Sequence, residues 1–463
     1  MVAVVLVNTL TPKTVGLQKS HRFFLRGIME TSRYTIQFEN NGKKYIYNTL
    51  STAIAEINDD ISNALASGNF SNVDEDFINA LAESHFIVRD SNLEKYEYLF
   101  FYNSTRFNKS ARSFYLNLIP SYSCNLACPY CYEGQSKQTT RISEENLCTI
   151  IKFYENHIHS SNGMINNAVI RFYGGEPLLN KDEIIKFAKE TREISNKYNI
   201  HVRYDMATNF TCVDNEILQF IKEFNISIQV TIDGTKKSHD VRRITKDGKG
   251  TYDLIVQNLK KACDFGIKNN ITIRINIDKN NLSEAEESIN NIKCYSNYVY
   301  FGLLNEFEEY NDSFATHCVE LKSYSSVLTQ KLNPLLKKYG YSELVPFGKN
   351  SPCALVSENK FFIDDKLQVY KCEVIVNRDD TCVGVINKEG YFEPNLNYYQ
   401  QMSVNPYNYK KCVDCKLLPL CSGGCPAKSY IHKKKHDGIF NDPFCEFTEQ
   451  SLLDYLKYYL DNN

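Results

Sequence analysis

The sequence predicts an α/β protein: a partial (β/α)6 TIM barrel between a small N-terminal winged-helix-like module and a cysteine-rich C-terminal domain. Three observations carry this expectation. Between Arg112 and Leu303, six short apolar runs alternate with stretches of helical period, the pattern of parallel strands joined by right-handed crossovers. Ahead of them, short alternating runs surround two helical stretches. Behind them, from about Ser351, seven cysteines fall into spaced motifs.

The 463 residues allow about three domains, and 43% hydrophobic residues suffice for a sizeable core. A formal charge of −2 gives no reason to expect a nucleic-acid or membrane partner. No apolar run approaches a membrane span, and the N-terminus lacks a basic-then-apolar secretory pattern, so the expected location is cytoplasmic. Sixteen cysteines in a reducing compartment are not expected to form disulfides. Ten stand in motif spacings and point to metal; Cys148, Cys212, Cys263, Cys294, Cys318 and Cys382 are scattered and read as buried hydrophobes.

Taken in order, residues 1–28 are unplaced apart from a short strand within Val2–Val7, and Met29 reads as the start of the first module. In that module (29–108), Tyr34–Phe38, a turn at Asn41-Gly42 and Tyr45–Tyr47 form a hairpin. Helices are expected over Ala53–Ala66 and Asp74–Ser84, and strands at Phe86–Val88 and Tyr96–Phe101. The barrel (112–305) takes strands at Phe114–Ile119, Ala168–Tyr173, Val202–Ala207, Ser227–Ile232, Ile271–Ile277 and Tyr298–Leu303. Helices near Glu144–His157, Asp182–Tyr198, Asp214–Phe224, Tyr252–Phe265 and Ser283–Ile292 connect them. Residues 306–350 bridge to a separate region, 351–463, with a helical tail at Phe447–Leu460.

Active sites of such barrels lie in the loops after the strands, and the motifs fall there. The first strand is followed by Cys124, Cys128 and Cys131 at C-x3-C-x2-C spacing, with Tyr130 before the third. Three thiolates in one tight loop can hold a four-iron cubane and leave one iron for a small molecule; a zinc site is the alternative reading. The second strand ends in Gly174-Gly175-Glu176-Pro177, where glycines permit close approach of a ligand and Glu176 with nearby carbonyls can take an ammonium group. The fourth strand ends in Thr231-Ile232-Asp233-Gly234, with Arg243 twelve residues after Thr231; a guanidinium forks well onto a carboxylate. Arg274 and Asn276 alternate inward with Thr272 and line the same pocket.

This set of motifs resembles the radical SAM superfamily. The resemblance implies a [4Fe-4S] cluster on Cys124, Cys128 and Cys131 that binds S-adenosylmethionine at its open iron. It also implies that Gly174, Gly175 and Glu176 hold the amino group, that Thr231 and Arg243 hold the carboxylate, and that Asn209 contacts the ribose. Further on, Cys353, Cys372, Cys412-x2-Cys415-x5-Cys421-x3-Cys425 and Cys445, with Gly423-Gly424 before Cys425, resemble the SPASM extension of radical SAM enzymes that act on peptides. By that resemblance Cys412, Cys415, Cys421 and Cys445 hold one auxiliary [4Fe-4S] cluster, and Cys353, Cys372 and Cys425 another. Leu367 stands where the pattern usually carries glycine, and no further cysteine lies between Cys353 and Cys372. Either that cluster keeps an open iron or Cys382 closes it. Glu373 occupies the place of an acidic general base in sulfatase-maturating relatives.

The resemblance therefore implies a peptide maturase with three [4Fe-4S] clusters and S-adenosylmethionine, reduced by a donor such as ferredoxin or flavodoxin. The N-terminal module resembles a leader-recognition domain, so the expected substrate is a precursor peptide with a leader and the expected product a Cys thioether crosslink. A carbon–carbon crosslink, a formylglycine-generating maturase, and a non-catalytic zinc or iron–sulfur binding protein are the rival readings.

Overall fold

The computed structural model describes residues 6–7, 29–107, 112–131, 140–304, 317–320, 323–345, 352–433, 444–445 and 448–462. Of the unplaced 1–28 segment only Leu6–Val7 is therefore described, and of the 306–350 bridge only 317–320 and 323–345.

In the N-terminal module, strands β1 (Leu6–Val7), β2 (Glu30–Thr31), β3 (Thr35–Asn40), β4 (Lys43–Asn48) and β5 (Ile54–Ile57) precede α1 (Asp59–Ser67), α2 (Glu75–Glu83), β6 (Ile87–Val88) and α3 (Ser91–Phe107). Four of the strands form one antiparallel sheet in the order β1-β5-β4-β3. The hairpin turn has Asn41 and Gly42 both at positive φ, as two-residue hairpin loops require. Two expectations fail here. Ile54–Ile57 is strand rather than the start of a helix, because Ile54, Ala55 and Ile57 are buried against β4 with Ala55 opposite Ile46. The helix begins only after Asn58, whose side chain accepts the Ile61 N–H at 2.9 Å. Tyr96–Phe101 is helix rather than strand: Asp90 caps α3 by accepting the N–H groups of Asn92 and Leu93, and Glu94, Tyr98, Tyr102 and Arg106 bury one face at a spacing of four. That face docks onto the C-terminal region, where Tyr98 donates to the Leu418 carbonyl at 3.3 Å and Arg106 donates to the Val356 and Met402 carbonyls. Tertiary packing here overrides the strand preference of an aromatic run.

The six expected barrel strands form, as β7 (Ser113–Ile119), β8 (Asn167–Phe172), β9 (His201–Thr208), β10 (Ser227–Ile232), β11 (Ile271–Ile277) and β12 (Tyr298–Leu303). All are parallel and neighbours in sequence are neighbours in space. Helices α4 (Glu144–Ser160), α5 (Lys181–Lys197), α6 (Asn215–Phe224), α7 (Lys236–His239), α8 (Tyr252–Asp264) and α9 (Ala285–Ile292) make the crossovers. The helix-facing side is the core: Ile228, Val230, Ile232, Ile271, Ile273, Ile275 and Ile277 are buried among Ile255, Leu259 and Ile289. The opposite side is polar and half-buried, with Gln229, Thr231, Thr272 and Arg274 alternating against those isoleucines.

The sheet does not end at β7. It continues through β13 (Lys360–Asp364), parallel to β7, into β14 (Gln368–Tyr370), β15 (Gly384–Ile386) and β16 (Phe392–Pro394), which are antiparallel. The cysteine-rich region is thus joined to the barrel by strand pairing, Phe361 opposite Leu116 and Ile363 opposite Leu118. A final helix, α10 (Glu449–Asn462), packs Leu452, Tyr455 and Leu456 against Ile36, Phe38 and Tyr47 of the N-terminal sheet. Among the described residues no helix is long and apolar enough to cross a membrane.

Leu367 turns the chain between β13 and β14 with φ +63°. That is the left-handed conformation in which glycine is unstrained and another residue costs about 1–2 kcal/mol. Leucine tolerates it because its side chain packs against the barrel core. In the same turn Asp364 accepts the N–H groups of Lys366 and Gln368 through Oδ1 and the Tyr122 hydroxyl through Oδ2, and burial pushes its pKa up to about 7. Because the folded-state pKa is raised, the contribution of Asp364 is present below its ordinary value and is lost as pH rises through about 7. Asp364→Asn keeps an acceptor for both amides and cannot ionise. Its urea midpoint is expected to gain on the native protein from about pH 4 to about pH 7 and then level off; a pH-independent difference refutes this.

Candidate active site

The loops after the parallel strands converge on one mouth. Gly175 donates its N–H to the Ser121 carbonyl at 3.2 Å and Glu176 donates to the Ser123 carbonyl at 2.9 Å. Gly174 has φ +118°, and a Cβ there would fall on the Ser121 carbonyl oxygen, while one at Gly175 would fall on the carbonyls of Tyr122 and Ser123. The two glycines thus let the cysteine loop lie directly on the end of β8. The Glu176 carboxylate is buried: Oε1 accepts the Thr208 hydroxyl at 2.7 Å and the Leu178 N–H at 3.0 Å, and Oε2 accepts the Asn209 N–H at 2.6 Å. Burial raises its pKa. Asn209 donates to Asn125 Oδ1 at 2.8 Å and approaches Cys124 Sγ at 3.9 Å, while its Oδ1 accepts from Thr211. On the far side of the loop, Ala127 donates to the Ile244 carbonyl at 2.8 Å.

Cys124, Cys128 and Cys131 pack together with Leu126, Tyr130, Leu304 and Cys318 in one apolar group. Burial pushes the Cys128 thiol up to about 11 against the pull of the nearby Arg243 charge. Tyr130 is buried beside them, and its hydroxyl accepts from Arg243 at 2.9 Å. Asn276 donates to Asp233 Oδ1 at 3.2 Å and reaches the Tyr130 hydroxyl at 3.5 Å. Asp233 is fully buried, and burial raises its pKa against the pull of the nearby Arg243 charge; among the described residues its Oδ2 and the Arg243 Nε have no hydrogen-bond partner. A buried carboxylate oxygen and a buried guanidinium nitrogen left unmatched are costly. They are also the charges that the ammonium and carboxylate of an amino acid would satisfy. The donor set therefore fits a cubane cluster on three thiols with the methionine end of S-adenosylmethionine beside it. Thr231, two residues before Asp233, faces the same polar interior, in register with Arg274 on β11. Arg274 donates through Nε to Asn276 at 2.8 Å.

The remaining cysteines form two groups. Cys353, Cys372 and Cys425 pack around Leu355, Val356, Ile375 and Ala427, and the Cys372 thiol is raised by burial and by Cys353, with a smaller effect of Cys425. Cys412 is raised to about 12 by burial and then by Cys421, Cys445 and Cys415. The structure therefore brings together the same two sets that the spacing resemblance separates. Gly424 makes this possible, since at φ +82° it lies against the Phe444 carbonyl, which also accepts the Cys425 N–H at 3.3 Å. Cys382 is elsewhere, packed among Ile119, Tyr122, Phe362, Tyr370 and Val376 with its Sγ 3.2 Å from the Gly384 carbonyl. Among the described residues no three His, Cys, Asp or Glu side chains are arranged to hold a single metal ion. Glu373 pairs with Arg171 of β8 at 3.4 Å, which sets it between Cys372 and the polar interior of the barrel.

Sequence reasoning missed Asp233 and Asn125. Asp233 was legible as the next inward position after Thr231 on β10, whereas nothing local marks Asn125, whose role depends on Asn209 approaching from another strand end.

Residues 118–292 match the radical SAM superfamily, and the chain is homologous to anaerobic sulfatase-maturating enzymes. It carries a radical SAM domain, of a class of enzymes that use a [4Fe-4S] cluster and S-adenosylmethionine. It is 26% identical to the cysteine-type anaerobic sulfatase-maturating enzyme of Clostridium novyi, covering 72% of this chain and 93% of that protein. It is 22% identical to the radical SAM cyclopropyl synthase TigE of Paramaledivibacter caminithermalis, over 67% of each chain. Among solved structures it shares its fold with native anSMEcpe with bound AdoMet (TM-score 0.54, 21% identity, 75% of this chain and 97% of that one). It shares it also with Streptococcus suis SuiB (TM-score 0.50, 14% identity, 90% and 100%).

Gly175→Ala forces a methyl group against two carbonyls of the cysteine loop. Anaerobically reconstituted protein is expected to lose about one cluster's worth of iron while far-UV circular dichroism stays native. Full iron loading of the variant would show that the loop does not depend on this contact.

Proposed function

We propose that this enzyme modifies a ribosomally made precursor peptide by radical chemistry, with a Cys thioether crosslink as the product. The observation that carries the reading is the pair of buried polar atoms without a hydrogen-bond partner among the described residues, Asp233 Oδ2 and Arg243 Nε, beside the three-cysteine loop at the strand ends. Cys124, Cys128 and Cys131 would hold the [4Fe-4S] cluster, which would supply the one-electron cleavage of S-adenosylmethionine that makes a hydrogen-abstracting 5′-deoxyadenosyl radical available to the peptide. In this chain Arg243 with Thr231 receives the methionine carboxylate. Asp233, backed by Asn276, receives the ammonium, and Tyr130 fixes the Arg243 guanidinium. Glu176 and Asn209 act one layer back by holding the cysteine loop. The peptide lies along the polar barrel interior, lined by Arg171 of β8, Arg274 of β11 and Tyr300 of β12, which alternate against the buried core face.

The C-terminal cysteines hold two auxiliary [4Fe-4S] clusters in the same reading, Cys412, Cys415, Cys421 and Cys445 on one and Cys353, Cys372 and Cys425 on the other. The second keeps an iron open, since Cys382 packs apart from it. The N-terminal module takes the leader, and a cytoplasmic ferredoxin or flavodoxin supplies electrons. One observation favours a second reading, oxidation of a Cys or Ser to formylglycine: Glu373 stands between Cys372 and the interior, where a base would receive the substrate proton.

Reduced, anaerobically reconstituted protein given S-adenosylmethionine is expected to form 5′-deoxyadenosine, and Cys128→Ala to abolish it. A small cysteine-containing peptide encoded beside the gene, when co-expressed, is expected to lose two hydrogens by mass without gaining an aldehyde. No 5′-deoxyadenosine from a loaded cluster sinks the reading, and an aldehyde-reactive product selects formylglycine.

A further inference from the structure

Cys318 belongs to none of the cysteine motifs, yet it is fully buried. Of the six scattered cysteines, Cys148 and Cys294 are exposed and Cys212 and Cys263 half-buried. Cys382 has an apolar setting of its own. Cys318 alone among the six packs into the group formed by Cys124, Leu126, Cys128, Tyr130 and Leu304, with Cys131 at its edge. Its backbone is fixed there from both sides. The next residue, Val319, donates its N–H to the Leu304 carbonyl at 2.9 Å, and the preceding His317 accepts the Lys279 N–H at 3.0 Å. Leu304 in turn donates to the Ile277 carbonyl at 2.9 Å. The segment therefore lies across the carboxyl ends of β11 and β12 and presents Cys318 to a loop that starts at the end of β7.

Four sulfurs in one buried apolar group are the donor set of a fully ligated cubane, whereas three leave one iron without a protein ligand. An iron without a fourth ligand is readily lost on oxidation, so a resting enzyme gains from a displaceable one. We propose that Cys318 is the fourth ligand of the cluster held by Cys124, Cys128 and Cys131 while S-adenosylmethionine is absent, and that S-adenosylmethionine displaces it. The exchange is redox-neutral. One iron–sulfur bond breaks, the ammonium of the methionine end gives up one proton so that its amino nitrogen and the carboxylate oxygen bind the same iron, and the departing thiolate takes up a proton in exchange, through solvent. Cys318 is in this sense a positioning and protecting residue, and the reacting atoms never include it. The inference rests on the radical SAM reading of the site given above.

The test uses the full chain, anaerobically reconstituted, as native protein, Cys318→Ala and Cys318→Ser. Each is oxidised mildly with ferricyanide, with and without S-adenosylmethionine, and [3Fe-4S] is quantified by electron paramagnetic resonance. A variant lacking Cys124, Cys128 and Cys131 supplies the background from the auxiliary cysteines. Without S-adenosylmethionine, both Cys318 variants are expected to yield several-fold more [3Fe-4S] than native protein; with it, all three are expected to agree. Equal yields in its absence overturn the proposal. Should neither variant load a cluster, native protein decides alone: imidazole is expected to leave the spectrum of its reduced, substrate-free cluster unchanged, and a perturbed spectrum overturns the proposal. Native protein that loads a cluster but never forms 5′-deoxyadenosine refutes the parent reading instead, so the two failures are distinguishable.

Discussion

A buried carboxylate organises the mouth of this barrel. Glu176 accepts three hydrogen bonds, from its own turn and from Thr208 and Asn209 at the end of the neighbouring strand. A carboxylate removed from water is tolerable only when its oxygens are matched in this way. Its position is therefore determined by β8 and β9 jointly, and it determines theirs. From it the constraint passes outward: the Glu176 N–H anchors Ser123, the Asn209 side chain anchors Asn125, and these bracket Cys124. Apposition of the cysteine loop on Gly174 and Gly175 closes the same circuit. The residues that look like ligand contacts are in large part the frame that keeps three thiols in place.

The second constraint is continuity of the sheet. Pairing of β13 with β7 runs parallel over five residue pairs, Lys360–Asp364 against Tyr115–Ile119. The loop after β7 and the turn that carries Cys372, which follows β14, are consequently built on the two strands that flank β13. Tyr122, just before Cys124, reaches Asp364 across that junction. Arg171 and Glu373 meet inside it. The α3 helix closes the assembly from the other side, its Tyr98 and Arg106 bonded to carbonyls that flank the C-terminal cysteines. A flexible tether between barrel and cysteine region would leave the separation between thiol groups undefined. Strand pairing fixes it.

Legibility followed the range of the interactions. Three barrel strands, Ser227–Ile232, Ile271–Ile277 and Tyr298–Leu303, have the bounds expected from their apolar runs, because each run is buried by helices adjacent in sequence. Ile54–Ile57 and Tyr96–Phe101 were misread because their state is decided by a partner, β4 in one case and the C-terminal region in the other. The cysteine sets were readable as spacing, but their joining to β7 was not, since Lys360 and Tyr115 are far apart in the chain. At the site, the residue types were legible and their division of labour was not. Gly175, Glu176 and Asn209 carry the right chemistry for a ligand, and only their geometry shows that they also hold the loop.

The thiols themselves explain why such a frame is needed. Burial raises Cys128 to about 11 and Cys412 to about 12, so at neutral pH both groups are neutral sulfhydryls before metal arrives. Neutral thiols pack as hydrophobes, and Leu126 and Leu304 in one group and Leu418 and Tyr98 in another treat them so. Iron must then displace protons from sites where the thiolate is disfavoured, and the binding free energy has to cover that cost. Preorganisation lowers it, because sulfurs already held by Glu176, Asn209 and Gly424 need no further ordering when the cluster forms. An apolar shell disfavours the bare thiolate but excludes the water that would hydrolyse a cluster. The same burial that opposes loading therefore preserves the loaded state.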